Sequence, residues 1–364
     1  MLSKLLSAMD RNNFTCEVVS LTGRGEVADK IEQSGIPVTT LGMRAGLPDP
    51  RGILRLARHL KSRKADVVQT WMYHADLIGG IAGRLAGRLP LAWNIRHSDF
   101  KPGEFRRTTL LTVSACARLS RSLPTRIICC AEAARTTHIA FGYDASKMIV
   151  IPNGFDLSAF HADTTAYQSV RRELNLPETV RLIGLAGRFH PQKDHPGFIR
   201  AAGLLVRRFS EVSNAPHFVL CGGDVTPQNA TLQSAIAETG VPEQFHLLGR
   251  RDDIPRLMAG FDVYCSSSSN GEGFPNVVGE AMACGVPCVV TDVGDSAVVV
   301  GETGLVVPPE QPDTLAEALY RLLSEAGLER VRRTQAARKR VEENFALPLI
   351  ARRYENLYRE MGAL

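Results

Sequence analysis

A chain of 364 residues, 44% hydrophobic and 22% charged, is long enough for two globular domains and too apolar to be disordered. It has no run of 18 apolar residues, and its opening Met1-Leu2-Ser3-Lys4 lacks signal-peptide architecture, so neither a membrane span nor a leader is expected. The net charge of +5 hides an asymmetry: residues 1–150 hold 22 Lys/Arg against 12 Asp/Glu, and the remainder 21 against 26, so the first half suits an anionic partner.

The first half alternates helical and extended patterns. Leu2, Leu5, Leu6 and Met9 have helical spacing, and Phe14 to Leu21 reads as a strand. A doubly wound domain ordinarily opens with a strand and a glycine-rich turn; this chain opens in the helix, so a first strand and Gly-rich loop are expected to be missing from it, either because the true start lies upstream, the favoured expectation since a lost central strand exposes paired edges and core, or because the domain lacks that strand. Val27 to Ser34 is a helix and residues 35–41 a short strand. Arg51 to Lys64 is a basic amphipathic helix, suited to an anionic membrane surface or to covering a sheet with a solvated face. Strands over 65–70 and 90–96 end near His74 and at Arg96-His97. Strand ends of a parallel sheet are where ligands bind, although a lone histidine is equally a structural residue. Thr108 to Ser122 is a helix flanked by Arg106, Arg107, Arg118 and Arg121. A strand over 126–130, a helix over 132–142 and a strand over 148–151 lead to the turn Pro152-Asn153-Gly154-Phe155-Asp156.

The second half repeats this alternation. Val180 to Ala186 is a strand ending in Gly187-Arg188, and Lys193 follows on the same loop. Two cations there would neutralise a leaving diphosphate, or be ordinary surface charges. Strands over 218–224 and 244–250 each end in a glycine turn. Phe261 to Cys265 is a strand, and a Ser/Asn/Gly loop follows it. Pro275 suits the first turn of the next helix, and Gly285 its end. The amides of Asn276, Val277 and Val278 would face an anion at the positive end of that helix. Glu272 precedes this anion site and Glu280 lies beyond it, an arrangement fit for a diphosphate flanked by hydroxylated rings. On spacing alone the two acids are equally a solvated residue and a helix-face residue. Helices over 313–324, 329–345 and 349–361 end the chain. The eight cysteines show neither metal-ligand nor disulfide spacing, which points to reduced thiols in the cytoplasm.

The stretch Glu272-Gly273-Phe274-Pro275, Glu280-Ala281-Met282, Gly285 and Pro287 resembles the signature of the retaining, GT-B-fold glycosyltransferases of group one, or family four. The resemblance extends loosely over nearly the whole chain. It implies an α/β fold of two doubly wound Rossmann-like domains facing a central cleft. The expected N-terminal, acceptor-side domain is 1–155, completed by a C-terminal helix over 348–364. The nucleotide-sugar domain is 156–347, with a hinge after Asp156, through Phe160 to about Pro177. Pro152 to Asp156 matches the family's interdomain element, and Arg188 with Lys193 its G-R-x-x-x-x-K motif.

The implied reaction is retaining transfer from a nucleotide-diphosphate sugar to a glycan or lipid-linked acceptor, in bacterial surface-polysaccharide assembly. The resemblance assigns Arg188 and Lys193 to the diphosphate, Glu272 to the sugar hydroxyls and Glu280 to the ribose. His97 would lie near the donor sugar and acceptor, and Arg250 near the base. Gly273, Phe274, Pro275, Asn276, Val277 and Val278 complete the donor site. No D-x-D metal motif is present, so no metal and no cofactor are expected, with the nucleotide sugar as co-substrate. The expected location is cytoplasmic, extending to the inner face of the plasma membrane; nucleic acid is not an expected partner. The competing readings are a non-catalytic or truncated sugar-nucleotide binder and a nucleotide-sugar epimerase of the same fold.

Overall fold

The computed structural model describes residues 1–44, 49–100, 105–209, 215–325 and 327–363. The chain divides into two compact units, one of residues 1–154 with 347–364 and one of residues 155–346.

Among the described residues the first unit holds six strands: β1 (Val18–Ser20), β2 (Val38–Thr40), β3 (Val68–Gln69), β4 (Leu91–Ile95), β5 (Arg126–Cys129) and β6 (Met148–Val150). They fall into two parallel sheets, β1-β2 and β3-β4-β5-β6. No strand among the described residues joins the two sheets. One apolar layer nevertheless runs beneath both. Val18 and Val38 pack with Ala92 and Ile128 under the Leu2–Ala8 helix and the closing Leu347–Gly362 helix. The opposite face is covered by the Pro50–Ser62 and Tyr73–Leu85 helices. β4 is buried at every position, as expected of a strand with helices on both sides.

The second unit contains β7 (Leu182–Ala186), β8 (His217–Cys221), β9 (Phe245–Leu247), β10 (Val263–Ser266), β11 (Cys288–Thr291) and β12 (Leu305–Val307). They form one parallel sheet in the order β12-β11-β10-β7-β8-β9. β7, β10 and β11 are buried throughout. Phe198, Leu205, Leu232 and Leu319 pack into a core with Ile183, Phe218, Val263 and Val289 of the sheet.

Two expectations need correction. Residues 160–177 are not a plain hinge: they contain the Thr164–Glu173 helix, whose N-cap Asp163 accepts from the amides of Thr165 and Ala166. The helix is anchored by Arg171, buried and ion-paired to buried Asp262 at 2.5 Å. The strand expected over 14–21 is also only three residues long, because pairing with β2 begins at Val18.

Candidate functional site

In the second unit β8 and β9 lie to one side of β7, and β10, β11 and β12 to the other. The boundary between β7 and β10 is therefore a topological switch point, where an open α/β sheet binds ligands beyond its strand C-termini. The loops leaving these two strands are stitched together. Ser267 Oγ donates to the Lys193 carbonyl at 2.8 Å, and the Ser269 amide donates to the Gln192 carbonyl at 2.8 Å.

Lys193 and Glu272 meet across this seam, although 79 residues separate them in sequence. The Lys193 stem passes over Gly187, where an added Cβ would lie 3.5 Å from it. Its Nζ donates to Glu272 Oε1 in an ion pair. Ser268 Oγ donates to the same oxygen at 2.7 Å. Glu272 is 7% exposed, so its charge is met by an ammonium and a hydroxyl in a poorly solvated place. Its backbone is pinned by the loop after β11. Gly294 has φ +58, and a Cβ there would lie 1.9 Å from the Glu272 carbonyl oxygen. The Asp295 amide donates to the Gly273 carbonyl at 3.0 Å.

Arg188 sits at the mouth of β7 and is exposed. Its neighbours fix its backbone: the Gly187 amide donates to Cys221 O at 2.8 Å, and the Phe189 amide to Gly223 O at 2.7 Å. Arg250 is exposed at the end of β9, which lies beyond β8 from β7. It follows Gly249, whose carbonyl accepts from the Gly222 amide at 2.8 Å. The two guanidinium groups thus stem from one end of the sheet.

The Asn276–Ala283 helix begins one residue later than expected, with Pro275 as its N-cap. The Val278 amide is bonded to the Pro275 carbonyl at 3.2 Å. This removes Val278 from the expected set of anion-facing amides and leaves that role to Asn276, which is exposed, and Val277. Glu280 is the fifth residue of the helix and 8% exposed. The Phe274 ring is buried, stacked on Phe155 at 6.0 Å and edge-on to Phe345 at 5.3 Å. Phe274 can therefore offer a ligand only its backbone, and its ring fastens the Gly273–Pro275 loop to the body of the unit.

Sequence reading missed three neighbours. Ser268 and Gln192 act through the contacts above, which join distant segments and leave no local pattern. His195 directly follows Lys193-Asp194 as the first residue of the next helix, His195–Val206. It is fully buried, and burial first, then the Lys193 charge, pushes its pKa down to about 4. The ring is neutral at pH 7 and adds no charge beside Lys193.

His97 belongs to the first unit. It lies just beyond β4, with Nε2 3.2 Å from Asp99 Oδ1 and its ring edge-on to Phe105 at 4.9 Å. Arg96 beside it bonds to buried Asn153 and lies 5.3 Å over the Trp71 ring. His74 is exposed. Among the described residues no group of three or more His, Cys, Asp or Glu is placed to hold a metal ion. All eight cysteines are free thiols.

Comparison with known proteins agrees with these features. Residues 180–325 match a family described as glycosyl transferases group 1, and residues 2–159 match glycosyltransferase family 4. The chain is 26% identical to a UDP-Gal:alpha-D-GlcNAc-diphosphoundecaprenol alpha-1,3-galactosyltransferase of Escherichia coli, over 86% of this chain and 80% of that protein. It is 32% identical to a D-inositol 3-phosphate glycosyltransferase of Salinispora arenicola, over 54% of this chain and 46% of that one. The match thus spans less than half the length of the second relative. The fold superimposes on Anabaena Alr3699/HepE in complex with UDP, with a TM-score of 0.84 at 22% identity, covering 98% and 96% of the two chains. A Rickettsia africae glycosyltransferase gives 0.83 at 18% identity, covering 98% and 93%.

Proposed function

We propose that this chain, a member of the group 1, family 4 glycosyltransferases with the GT-B fold, transfers a hexose from a nucleotide-diphosphate sugar, with retention, to a lipid-diphosphate-linked glycan. The carrying observation is the Lys193–Glu272 ion pair at the switch point, flanked by Arg188 and the leading amides of the Asn276–Ala283 helix. The lipid-linked acceptor named for the E. coli relative and the basic N-terminal half support this acceptor class. The process it fits is bacterial surface-polysaccharide assembly.

In the proposed reaction the sugar C1–O bond to the diphosphate breaks, and a new C1–O bond to the acceptor hydroxyl forms on the same face. The leaving phosphate oxygen takes the acceptor proton. No protein nucleophile is required, so the protein's contribution is position and field. Arg188 and Lys193 stabilise the charge that grows on the diphosphate, assisted by the amides of Asn276 and Val277. Lys193 carries three N–H donors, so it can hold Glu272 and a phosphate oxygen together. Glu272, fixed by Lys193 and Ser268, accepts from the sugar hydroxyls. Glu280 accepts from the ribose, and Arg250 stands at the base. His97 contacts the sugar and the acceptor. The cation pair takes the place of a divalent ion, so the reaction proceeds without metal or cofactor.

The matches to inositol-phosphate enzymes favour a second acceptor, a soluble phosphorylated polyol. Both readings are tested by incubating the chain with UDP-hexose and either a sugar-diphospho-lipid or inositol phosphate, then assigning the product anomer by NMR. An α-linked product from an α-linked donor, on the lipid acceptor alone, is expected. An inverted anomer contradicts retention, and donor isomerisation without transfer identifies an epimerase.

A further inference from the structure

Beyond β4 the first unit continues as Arg96-His97-Ser98-Asp99-Phe100. Ser98 is buried, and its carbonyl accepts from the Thr137 hydroxyl at 2.6 Å, so the backbone between the histidine and the aspartate is held. The side chains on either side of it meet: His97 Nε2 lies 3.2 Å from Asp99 Oδ1. An ionised carboxylate offers lone pairs and no hydrogen, so this bond has one direction, and the ring donates from Nε2. Two aromatic neighbours limit the remaining freedom of the ring, Phe105 edge-on at 4.9 Å and Phe100 tilted at 6.5 Å. Nδ1 has no hydrogen-bond partner among the described residues, and the side chain is 25% exposed. His138, edge-on to Phe100 at 5.0 Å, is buried, and that burial pushes its pKa down to about 4. It therefore brings no positive charge to the cluster at pH 7.

We infer that Asp99 is a positioning residue that fixes the Nε2–H tautomer of His97, and that Nδ1 thereby serves as a hydrogen-bond acceptor for a substrate hydroxyl. A neutral imidazole carries one hydrogen. With that hydrogen held on Nε2, Nδ1 presents a bare lone pair. Such an atom accepts from a hydroxyl and repels the unprotonated oxygens of a phosphate or a carboxylate. His97 is thus restricted to the hydroxylated part of the substrate, a sugar ring. Arg188 and Lys193, which carry only donors, suit the diphosphate. Asp99 touches no substrate itself. It acts through the ring, since the partner of one imidazole nitrogen decides what the other can do. Moving the hydrogen to Nδ1 would turn the acceptor into a donor. This use of His97 rests on the proposed transfer reaction; the tautomer is measured without either substrate.

The test is heteronuclear NMR of the imidazole nitrogens in the full chain at pH 8, with the His97 signals identified by their loss in His97→Gln. The expected spectrum shows one hydrogen on His97, at Nε2, and a bare Nδ1. Asp99→Asn keeps the size of the side chain but offers an amide that donates as readily as it accepts. It is expected to mix the two tautomers and to lower kcat/KM for hexose transfer from UDP-hexose to a sugar-diphospho-lipid roughly tenfold. Asp99→Glu keeps the carboxylate and is expected to restore both the Nε2–H form and most of the rate. Thermal shift with UDP, expected to be the same in all three proteins, checks that the variants are folded. Overturning results are a wild-type ring with its hydrogen on Nδ1 or with hydrogens on both nitrogens, a wild-type tautomer ratio in Asp99→Asn, a changed ratio with an unchanged rate, or an Asp99→Glu variant that recovers neither. Transfer absent from the wild type, with the Nε2–H form present there and lost in Asp99→Asn, strikes the transferase reading and leaves the Asp99–His97 assignment standing.

Discussion

Lys193 holds Glu272 and is proposed to hold the donor diphosphate as well. Its removal should therefore act on turnover rather than on folding. Lys193→Ala is expected to lower kcat by roughly 10²–10³-fold, as for loss of one transition-state donor, with Tm within a few degrees of wild type. Near-normal kcat would remove Lys193 from the reaction. A second prediction concerns Asp76, fully buried and bonded to the Thr70 hydroxyl and, at 3.4 Å, the Asn94 amide. Burial pushes its pKa up to about 8 from an ordinary 3.8. The folded protein thus keeps a proton that the unfolded chain releases between about pH 4 and 8. Stability contributed by this group falls as pH rises through that window, by up to about 1.4 kcal/mol per pH unit, and levels off above it. Asp76→Asn, a neutral isostere, should therefore gain stability relative to wild type as pH rises from 5 to 8. Urea unfolding at both pH values checks this, and a constant difference would contradict it.

At the scale of elements, Asp262, the residue before β10, is a junction. It accepts from Arg171 and Arg181 and from the Leu182 amide, and Arg330 donates to it at 2.7 Å. Asp262→Ala leaves Arg171 buried without its partner and should cost about 3–5 kcal/mol in denaturant unfolding; a loss below about 1 kcal/mol would mean that the Thr164–Glu173 helix is held by something else. Gly279 shows the same dependence on packing: an added Cβ would lie 2.1 Å from the Phe155 ring. Such contacts explain what could be read from sequence. The Asn276–Ala283 helix, with Glu272 before it and Glu280 on it, was legible because Glu272 to Pro287 is one contiguous string with glycine and proline at fixed places. The Thr164–Glu173 helix was read as a hinge because it is short and polar, and its anchor Arg171–Asp262 spans 91 residues. The Lys193–Glu272 pair was hidden for the same reason: each residue was recognised, but nothing local says that they touch. The loss of Val278 from the anion-facing amides is a matter of one residue in the helix start, finer than Pro275 alone fixes.

For the molecule as a whole, the proposed chemistry rests on fixed charge rather than on a metal, with a basic first unit and a second unit proposed to bind the donor. No helix among the described residues is long and apolar enough to cross a membrane. The central claim is that a sugar nucleotide is gripped by Arg188 and Lys193 at the β7–β10 switch point and reacts there without metal. The most direct measurement is mass-spectrometric transfer of hexose from UDP-hexose to a sugar-diphospho-lipid in EDTA, comparing wild type with Arg188→Ala/Lys193→Ala. Transfer by wild type in the chelator, falling at least roughly 10³-fold in the double variant at matched Tm, is the predicted result; transfer abolished by EDTA, or undiminished in the double variant, would contradict it.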